Sequence, residues 1–570
     1  MLSTSLLSLS LIRWVVNMEA EAGSDHGRVR PFVTLPPSEW DEHFLAVSLD
    51  ASEMGVLEKE MEALKPKVRD MLMSSPSDTK SKLCFIHLLV SLGISFHFEN
   101  EIEETLKHAF DTIEDKITDK DDLYTVSAMF LVFRSYRYKM SPGVFETFKG
   151  EDGRFKTSLV RDVKGMLSLY EAANWGTVTE DIMDEALSFT STHLESLPEE
   201  TSPHMSKHIK TVLDLPQRQN MEILAVREYI SFYEHEDDHD ETLLKFSKLC
   251  FRFLQMHCVQ ELKALSNLLS YACRWWKDLG LESKLPPYFR NNMVQCYFNA
   301  VPLLMEPHFS RARIALAKLY RCFTIMDDTC DRYASLHEVT TLVDCVQRWD
   351  LDGIAKLPDY MKIVFKLFWD VYHEIEREVR LDGRSYSAQA MLDECKRMAR
   401  ANLACTKWVV PTFEEYMKVG KVEFGTEAAL ACGFVCMGQI AGKEAYDWLN
   451  SRPNIIQSVT SKARLLNDIT GFQDDMSRGY AATGINVYMK QYGVTEEEAF
   501  REFRKMVRAT EKITTEEFLN ATVVPRKILM QVINFERSFS TTYAHGEGFT
   551  NCTARMKENI SSLFVHLISL

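Results

Sequence analysis

Three observations predict an all-α fold. Gly (23) and Pro (17) make up about 7% of the chain, against roughly 12% in an average protein. Sheets and barrels spend these residues on turns, so their scarcity points to long helices with few connections. From Trp40 onward, apolar residues recur at i, i+3, i+4 spacing in one segment after another, the period of a helix with a buried face. No run alternates with period two for long, and Asn-Gly, the strongest hairpin signal, is absent.

In chain order, Ser52 is expected to cap a first helix. Glu53 and Glu58 lie in its early turns, and Met54, Leu57, Met61, Leu64 and Val68 form its apolar face. Residues Ser81–Phe98 are apolar almost all round and predict a buried helix. The same period recurs over Leu123–Tyr136, Phe155–Ala173, Ile223–Tyr233 and Leu243–Leu269. A charged stretch at 236–245 predicts a boundary. Beyond it, helical segments cover Leu285–Tyr297, Ala312–Asp331, Val364–Arg377, Leu430–Ile440, Val459–Asp475 and Glu496–Val507. No repeat of constant period is present, and the expected architecture is many antiparallel helices with short loops.

Composition narrows the function. With 46% hydrophobic and 26% charged residues the chain has an ample core. A net charge of −16 argues against general binding of nucleic acid or anionic membrane. A phosphate-bearing substrate would need metal ions or a local basic patch. The 13 cysteines form no CxxC pair or zinc-type cluster, as expected of buried reduced thiols in an intracellular protein. No apolar run reaches the roughly 18 residues that span a bilayer. Residues 1–17 are rich in Ser and Leu, lack acids and carry one Arg. They read as a dispensable extension ahead of a second start at Met18, or as an organelle transit segment; a secretory signal would need a positive leading region.

Two clusters carry chemistry. Asp327 and Asp331, at i and i+4, leave one face at the end of a long apolar helix. Like charges there repel, and they suit either a solvated helix end or a pocket for a hard cation such as Mg²⁺. Further on, Asn467, Gly471 and Asp475 fall at i, i+4 and i+8, with Arg464 one turn earlier on a neighbouring stripe. Asn467 and Asp475 offer oxygens to a second cation, and Arg464 offers donors to a phosphate; an ordinary amphipathic helix with a polar end is the alternative. Two such faces across a helical bundle can clamp one polyphosphate through bridging metals, which answers the charge problem.

On these residues the chain resembles the plant terpene synthases, over nearly its whole length from Arg30. Arg30-Pro31 followed by eight residues and Trp40 is similar to the family's N-terminal signature, and Arg274-Trp275-Trp276-Lys277-Asp278-Leu279 is a family string. Asp327-Asp328-Thr329-Cys330-Asp331 matches the DDxxD motif, and Asn467–Asp475 resembles the second metal motif. The RPFVTLPPSEW opening and the SLYEAA string at 168–173 look most like angiosperm sesquiterpene synthases of the mustard-family type.

The resemblance implies an extension over 1–29, an N-terminal α-barrel-like relic domain over 30–243 and a C-terminal class I helical bundle over 244–570. The bundle would ionise a prenyl diphosphate with three Mg²⁺ ions, or Mn²⁺, and cyclise the carbocation. Asp327 and Asp331 then match ligands of one metal pair, and Asn467 and Asp475 ligands of the third ion. Arg464 and Arg290 match diphosphate-binding arginines. Farnesyl diphosphate is the expected substrate; C20 or C25 diphosphates, or a catalytically decayed homologue, are alternatives. A cytoplasmic monomer is expected, with a plastid location if residues 1–17 act in transit. A chain-elongating prenyltransferase fits less well, because it carries two full DDxxD motifs and has no use for the large N-terminal half.

The sequence departs from the family pattern in several places. Asn291 and Asn292 follow Arg290 where Asp-Arg is usual, and Asn299 stands where a cavity tryptophan is expected. Gly471 supplies no hydroxyl, and Asp475 is one methylene shorter than the usual Glu. In the lid-like Tyr543–Phe549 segment, Glu547 and Phe549 replace an Asp and a Tyr, and Tyr543 reads as a packed aromatic or a proton relay. Asp119-Lys120-Asp121-Asp122 formally matches the DxDD acid motif of other terpene cyclases, but its charged surroundings predict a helix N-cap.

Overall fold

The computed structural model describes residues 40, 43–47, 50–74, 78–197, 201–278, 288, 291–406, 411–477, 483–550 and 552–570, with backbone alone for 51 and 267–278. Residues 1–17, Arg30 and Arg290 lie outside these, as do the side chains of the Arg274–Asp278 string.

Among the described residues the architecture is all-α; the one extended pairing is an isolated bridge between Lys149 and Phe155. Helices of eight residues or more in the first half are α1 (Ala51–Ser74), α2 (Thr79–Ser91), α3 (Glu99–Lys116), α4 (Leu123–Ser135), α5 (Val163–Ala173), α6 (Asp181–Leu194), α7 (Pro203–Asp214) and α8 (Glu222–Tyr233). They are followed by α9 (Glu241–Asp278), α10 (Met293–Ala300), α11 (Ser310–Asp328), α12 (Leu336–Arg348), α13 (Asp359–Leu381), α14 (Ser385–Thr406), α15 (Phe413–Glu423) and α16 (Thr426–Cys436). The last are α17 (Lys443–Asn450), α18 (Asn454–Ser477), α19 (Gly484–Tyr492), α20 (Glu496–Asn520), α21 (Arg526–Tyr543) and α22 (Ala554–Phe564). None is long and apolar enough to cross a membrane.

Local chemistry explains where elements depart from the expected ones. The first helix is capped by Asp50, not Ser52: the Asp50 carboxylate accepts the Ser52 N–H at 2.8 Å. The segment Ser81–Phe98 is broken. Gly93 takes φ 69°, open to glycine at little cost, and a 3₁₀ turn over Ser95–Phe98 follows. The helix expected from Phe155 starts at Val163, because Asp162 accepts the Gly165 N–H at 2.9 Å and caps it there. Asp122 caps α4 by accepting the Thr125 N–H at 2.7 Å, and Asp121 pairs with Lys80 at 2.6 Å, so the DxDD string is the expected cap.

In the first half α4 packs on α2 and α5, and α5 on α6; in the second, α18 lies against α20 and α21, and α14 against α15 and α16. The long α9 touches α1 at one side and α11 and α22 at the other. One apolar core runs through both halves, from Phe44 to Phe564. Arg218, just before α8, pairs with Glu536 of α21 at 2.7 Å, both fully buried. Breaking such a pair leaves an uncompensated charge, at a cost of about 3–5 kcal/mol.

A second buried pair positions the site. Arg313 on α11 grips Glu261 on α9 through two bonds, at 2.9 and 2.5 Å, and donates to the carbonyl oxygens of Leu304 and Glu306. A fifth bond, to Pro307 O at 3.5 Å, uses the last guanidinium N–H, and α11 is held in register for its last turn to present Asp327.

Candidate active site

Helix α11 ends in a π turn over Thr329–Tyr333, closed by the Ala334 N–H donating to Thr329 O at 2.9 Å. Single π turns favour functional positions because they re-aim side chains. Asp331 lies within this turn, and Asp327 and Asp328 close the helix just before it. Asp328 is buried and paired with Arg332 at 3.2 Å. Asp327 and Asp331 instead point to one place, where they meet Glu423 at the end of α15. One carboxylate oxygen from each of the three lies within 4.8 Å of the others. Burial first, and then the Asp331 and Glu423 charges, push the Asp327 carboxyl well above the usual range. Three crowded hard oxygens form a donor set that suits a divalent cation.

Glu423 reaches this point because the chain breaks immediately after it. Gly425 takes φ 78° between α15 and α16, and a side chain there would stand 2.7 Å from Met398 Sδ. The break turns Phe424, Gly425 and Thr426 toward the cavity.

Across the opening stands α18. Arg464 donates to Glu423 at 3.0 Å and to Asp468 at 2.9 Å, and it also bonds Asn467 Oδ1. Burial opposes its charge, but Asp468, Tyr416 and Glu423 hold the guanidinium firmly protonated. Asp468 is buried and accepts the Tyr416 hydroxyl at 2.6 Å, so it serves to aim Arg464. The Asn467 amide donates to Tyr543 at 3.2 Å. Asp475 and Gly471 line the same cavity. At the rim Arg332 also reaches Asp474 at 3.4 Å, linking the two acidic clusters.

Behind this mouth lies a cavity of about 510 Å³. Tyr320, Phe323, Phe424, Phe535, Phe539 and Tyr543 give it aromatic walls. Burial, and then Glu547, raises Tyr543 far above the usual phenol range, so its hydroxyl stays protonated. Asn299 lines the cavity where a tryptophan was expected, with its carbonyl oxygen accepting from Thr542 at 2.8 Å. Asn292 is buried elsewhere, accepting from Arg321 at 2.6 Å. Glu547 caps its own loop by accepting the Thr550 N–H at 2.9 Å.

Of the expected site residues, Asp327, Asp331, Arg464, Asn467 and Asp475 all line this one cavity; Arg290 is outside the described residues. Sequence reasoning missed Glu423, Asp468 and Tyr416. Asp468 stood within the second motif; Glu423 carries no local signal beyond being a lone acid in the apolar string VEFG.

Comparison with known proteins agrees with this geometry. Residues 277–513 match the family model described as terpene synthase family, metal binding domain, and residues 39–213 match terpene synthase, N-terminal domain. The terpenoid synthase 1 of Arabidopsis thaliana is 47% identical over 98% of this chain and 92% of its own length. The alpha-barbatene synthase of the same plant is also 47% identical, over 97% of this chain and all of its own. Among solved structures, isoprene synthase from grey poplar, in complex with three Mg²⁺ ions and dimethylallyl-S-thiolodiphosphate, superposes with a TM-score of 0.82. It is 26% identical, covering 93% of this chain and 99% of that one. An all-helical, two-domain enzyme with a carboxylate-rimmed aromatic cavity is the class defined here. The chain belongs to the terpene synthase family, and it is a terpene synthase, a lyase.

Proposed function

We propose that this terpene synthase ionises farnesyl diphosphate and cyclises the resulting carbocation, releasing diphosphate. The carrying observation is the convergence of Asp327, Asp331 and Glu423 at the mouth of the aromatic cavity, opposite Arg464 and Asn467. The C15 choice rests on relatives that are sesquiterpene synthases, the alpha-barbatene enzyme among them. The shared isoprene synthase fold does not discriminate length.

Asp327, Asp331 and Glu423 fit one group of Mg²⁺ or Mn²⁺ ions, and Asn467 and Asp475 fit a further ion, three ions in all. When bound, the ions neutralise the diphosphate and withdraw charge from its leaving oxygen. Arg464 supplies a permanent positive charge at the mouth, where the leaving group's negative charge develops. The rings of Tyr320, Phe323, Phe424, Phe535 and Phe539 offer their faces to the migrating cation and keep bulk water out. Arg290 is assigned the second arginine contact to diphosphate.

Incubation of purified protein with C10, C15, C20 and C25 diphosphates and Mg²⁺, with products analysed by mass, tests the reading. A kcat/KM highest for C15 agrees with it; preference for C20 or C25 reassigns the substrate, and no turnover of any length marks a decayed homologue.

The division into 30–243 and 244–570, a monomeric state and a cytoplasmic location complete the proposal. Fluorescent fusions starting at Met1 and at Met18 test the location: plastid signal confined to the longer form would overturn it.

A further inference from the structure

We propose that the N-terminal half holds a second binding site, a cavity enclosed by α2, α4, α5, α7 and α8 that takes a neutral, largely hydrocarbon molecule carrying a hydroxyl group. Occupancy of this site is independent of the ionisation proposed above. The cavity measures about 400 Å³, against about 510 Å³ for the catalytic one. Protein interiors pack so tightly that few voids exceed one water molecule, so a space of this size is not a packing flaw.

Leu88, Leu131, Leu167, Val212, Leu215 and Phe232 give the cavity apolar walls. Three polar side chains face the same space: His87 on α2, Tyr124 on α4 and Tyr229 on α8. Each keeps part of its surface accessible, yet burial lowers the His87 imidazole to about 4 and raises both phenols far above their usual range. Groups so far from bulk water are accessible through the cavity. Among the described residues none of the three bonds a protein group, whereas the Tyr233 hydroxyl beside them accepts the Asp240 N–H at 2.7 Å. They also sit together. The His87 and Tyr124 rings are 6.4 Å apart, and Tyr124 is close enough to Tyr229 to raise its phenol further.

The cavity offers no free cation to an anionic ligand. Lys164 bonds Glu236 and lies 3.8 Å from Asp238, His208 pairs with Glu228 at 3.0 Å, and among the described residues no arginine lines the space. Burial keeps His87 uncharged at neutral pH and raises the Glu171 carboxyl, which also faces the cavity, to about 7. These groups favour uncharged forms, which suits neither a diphosphate nor an ammonium. A mostly apolar pocket with a few converging hydrogen-bonding groups is the pattern that orients a small neutral molecule. A hydroxyl can donate to the His87 ring and accept from a phenol, while the hydrocarbon displaces water from the apolar walls.

The test is calorimetric titration of the full chain, without metal or diphosphate, against three compounds of one ten-carbon skeleton. These are geraniol, an alcohol; geranylamine, a cation at neutral pH; and geranyl monophosphate, an anion. Wild type is expected to bind geraniol at least about tenfold more tightly than either charged compound. Ala225→Phe, which places a ring in the cavity, should remove one binding site for geraniol. Tyr229→Phe, which removes a single oxygen, should weaken that site about fivefold, the loss of one neutral hydrogen bond. Melting curves identify a variant that fails to fold, and the other then decides. No binding of geraniol by wild type, equal or tighter binding of a charged compound, or folded variants that bind as wild type does would overturn the proposal. Failure of diphosphate release bears on the ionisation alone, since no turnover enters this measurement.

Discussion

Arg464 Nη1 lies 3.0 Å from Glu423 Oε2, joining the two sides of the cavity mouth. The contact needs Gly420 beneath it: a Cβ there would stand 2.8 Å from Arg464 Cδ. The arginine expected to meet diphosphate is therefore held by one of the acids expected to meet metal. Bringing cation and diphosphate into the mouth exchanges this internal pair for two external ones. Cation and anion should accordingly bind together more readily than either alone.

Asp327→Ala should reduce turnover at least about 100-fold, because a metal-ligating oxygen is lost where leaving-group charge is stabilised. Its melting temperature should equal or exceed that of wild type, since the change relieves repulsion among Asp327, Asp331 and Glu423. Paired activity assays and circular-dichroism melts check this; a destabilised variant would mean that the carboxylate serves packing.

Glu423→Gln keeps an oxygen for Arg464 to bond but removes the charge. The Mg²⁺ concentration for half-maximal rate should rise about tenfold or more, with the fold intact. A metal titration that matches wild type would remove Glu423 from the ligand set.

The sequence exposed those parts of the site that depend on spacing within one helix. Asp327 with Asp331, and Asn467 with Gly471 and Asp475, are each brought together by the helical period alone. Glu423 joins Asp327 only through the packing of α11, α14, α15 and α16, and no local pattern records that. The π turn that follows Asp328 is likewise invisible in a period of 3.6. Helices were legible from their apolar stripes, whereas their ends followed single side chains. Asp50 displaced Ser52 as a cap, and Gly93 split a stretch that hydrophobicity alone reads as continuous.

The short carboxylate at Asp475 sets a metal preference. A Glu there would reach about 1.5 Å further, and Mg²⁺ tolerates little departure from oxygens at about 2.0–2.1 Å. Mn²⁺, the larger ion, should support activity at lower concentration than Mg²⁺. Gly471→Ser combined with Asp475→Glu should shift the preference to Mg²⁺. A Cβ at 471 meets only Asp475 Oδ2, at 3.7 Å, so a serine has room. Titrating both ions against both proteins decides; an unchanged preference means that α18 already compensates for the shorter side chain.

Glu171, in the SLYEAA string on α5, gives a pH signature remote from the active site. Both its oxygens accept the Gln217 N–H at 3.0 Å, and burial raises its carboxyl to about 7. The folded state thus binds this proton more tightly than the unfolded chain, whose ordinary value is near 4.5. The stabilising contribution is full below pH 4.5 and is lost as pH rises through 7, a difference of roughly 3 kcal/mol. Glu171→Gln should therefore melt above wild type at pH 8, with the gap closing toward pH 5. A gap independent of pH would show that Glu171 is charged in the fold throughout.

Ionisation at the Asp327–Asp331–Glu423 mouth should depend on a divalent metal. Its most direct test is diphosphate release from farnesyl diphosphate, followed with added Mg²⁺ and with EDTA. One diphosphate should be released per terpene formed, with no release above background once the metal is chelated. Release at the same rate in EDTA would contradict it, as would release of inorganic phosphate in place of diphosphate.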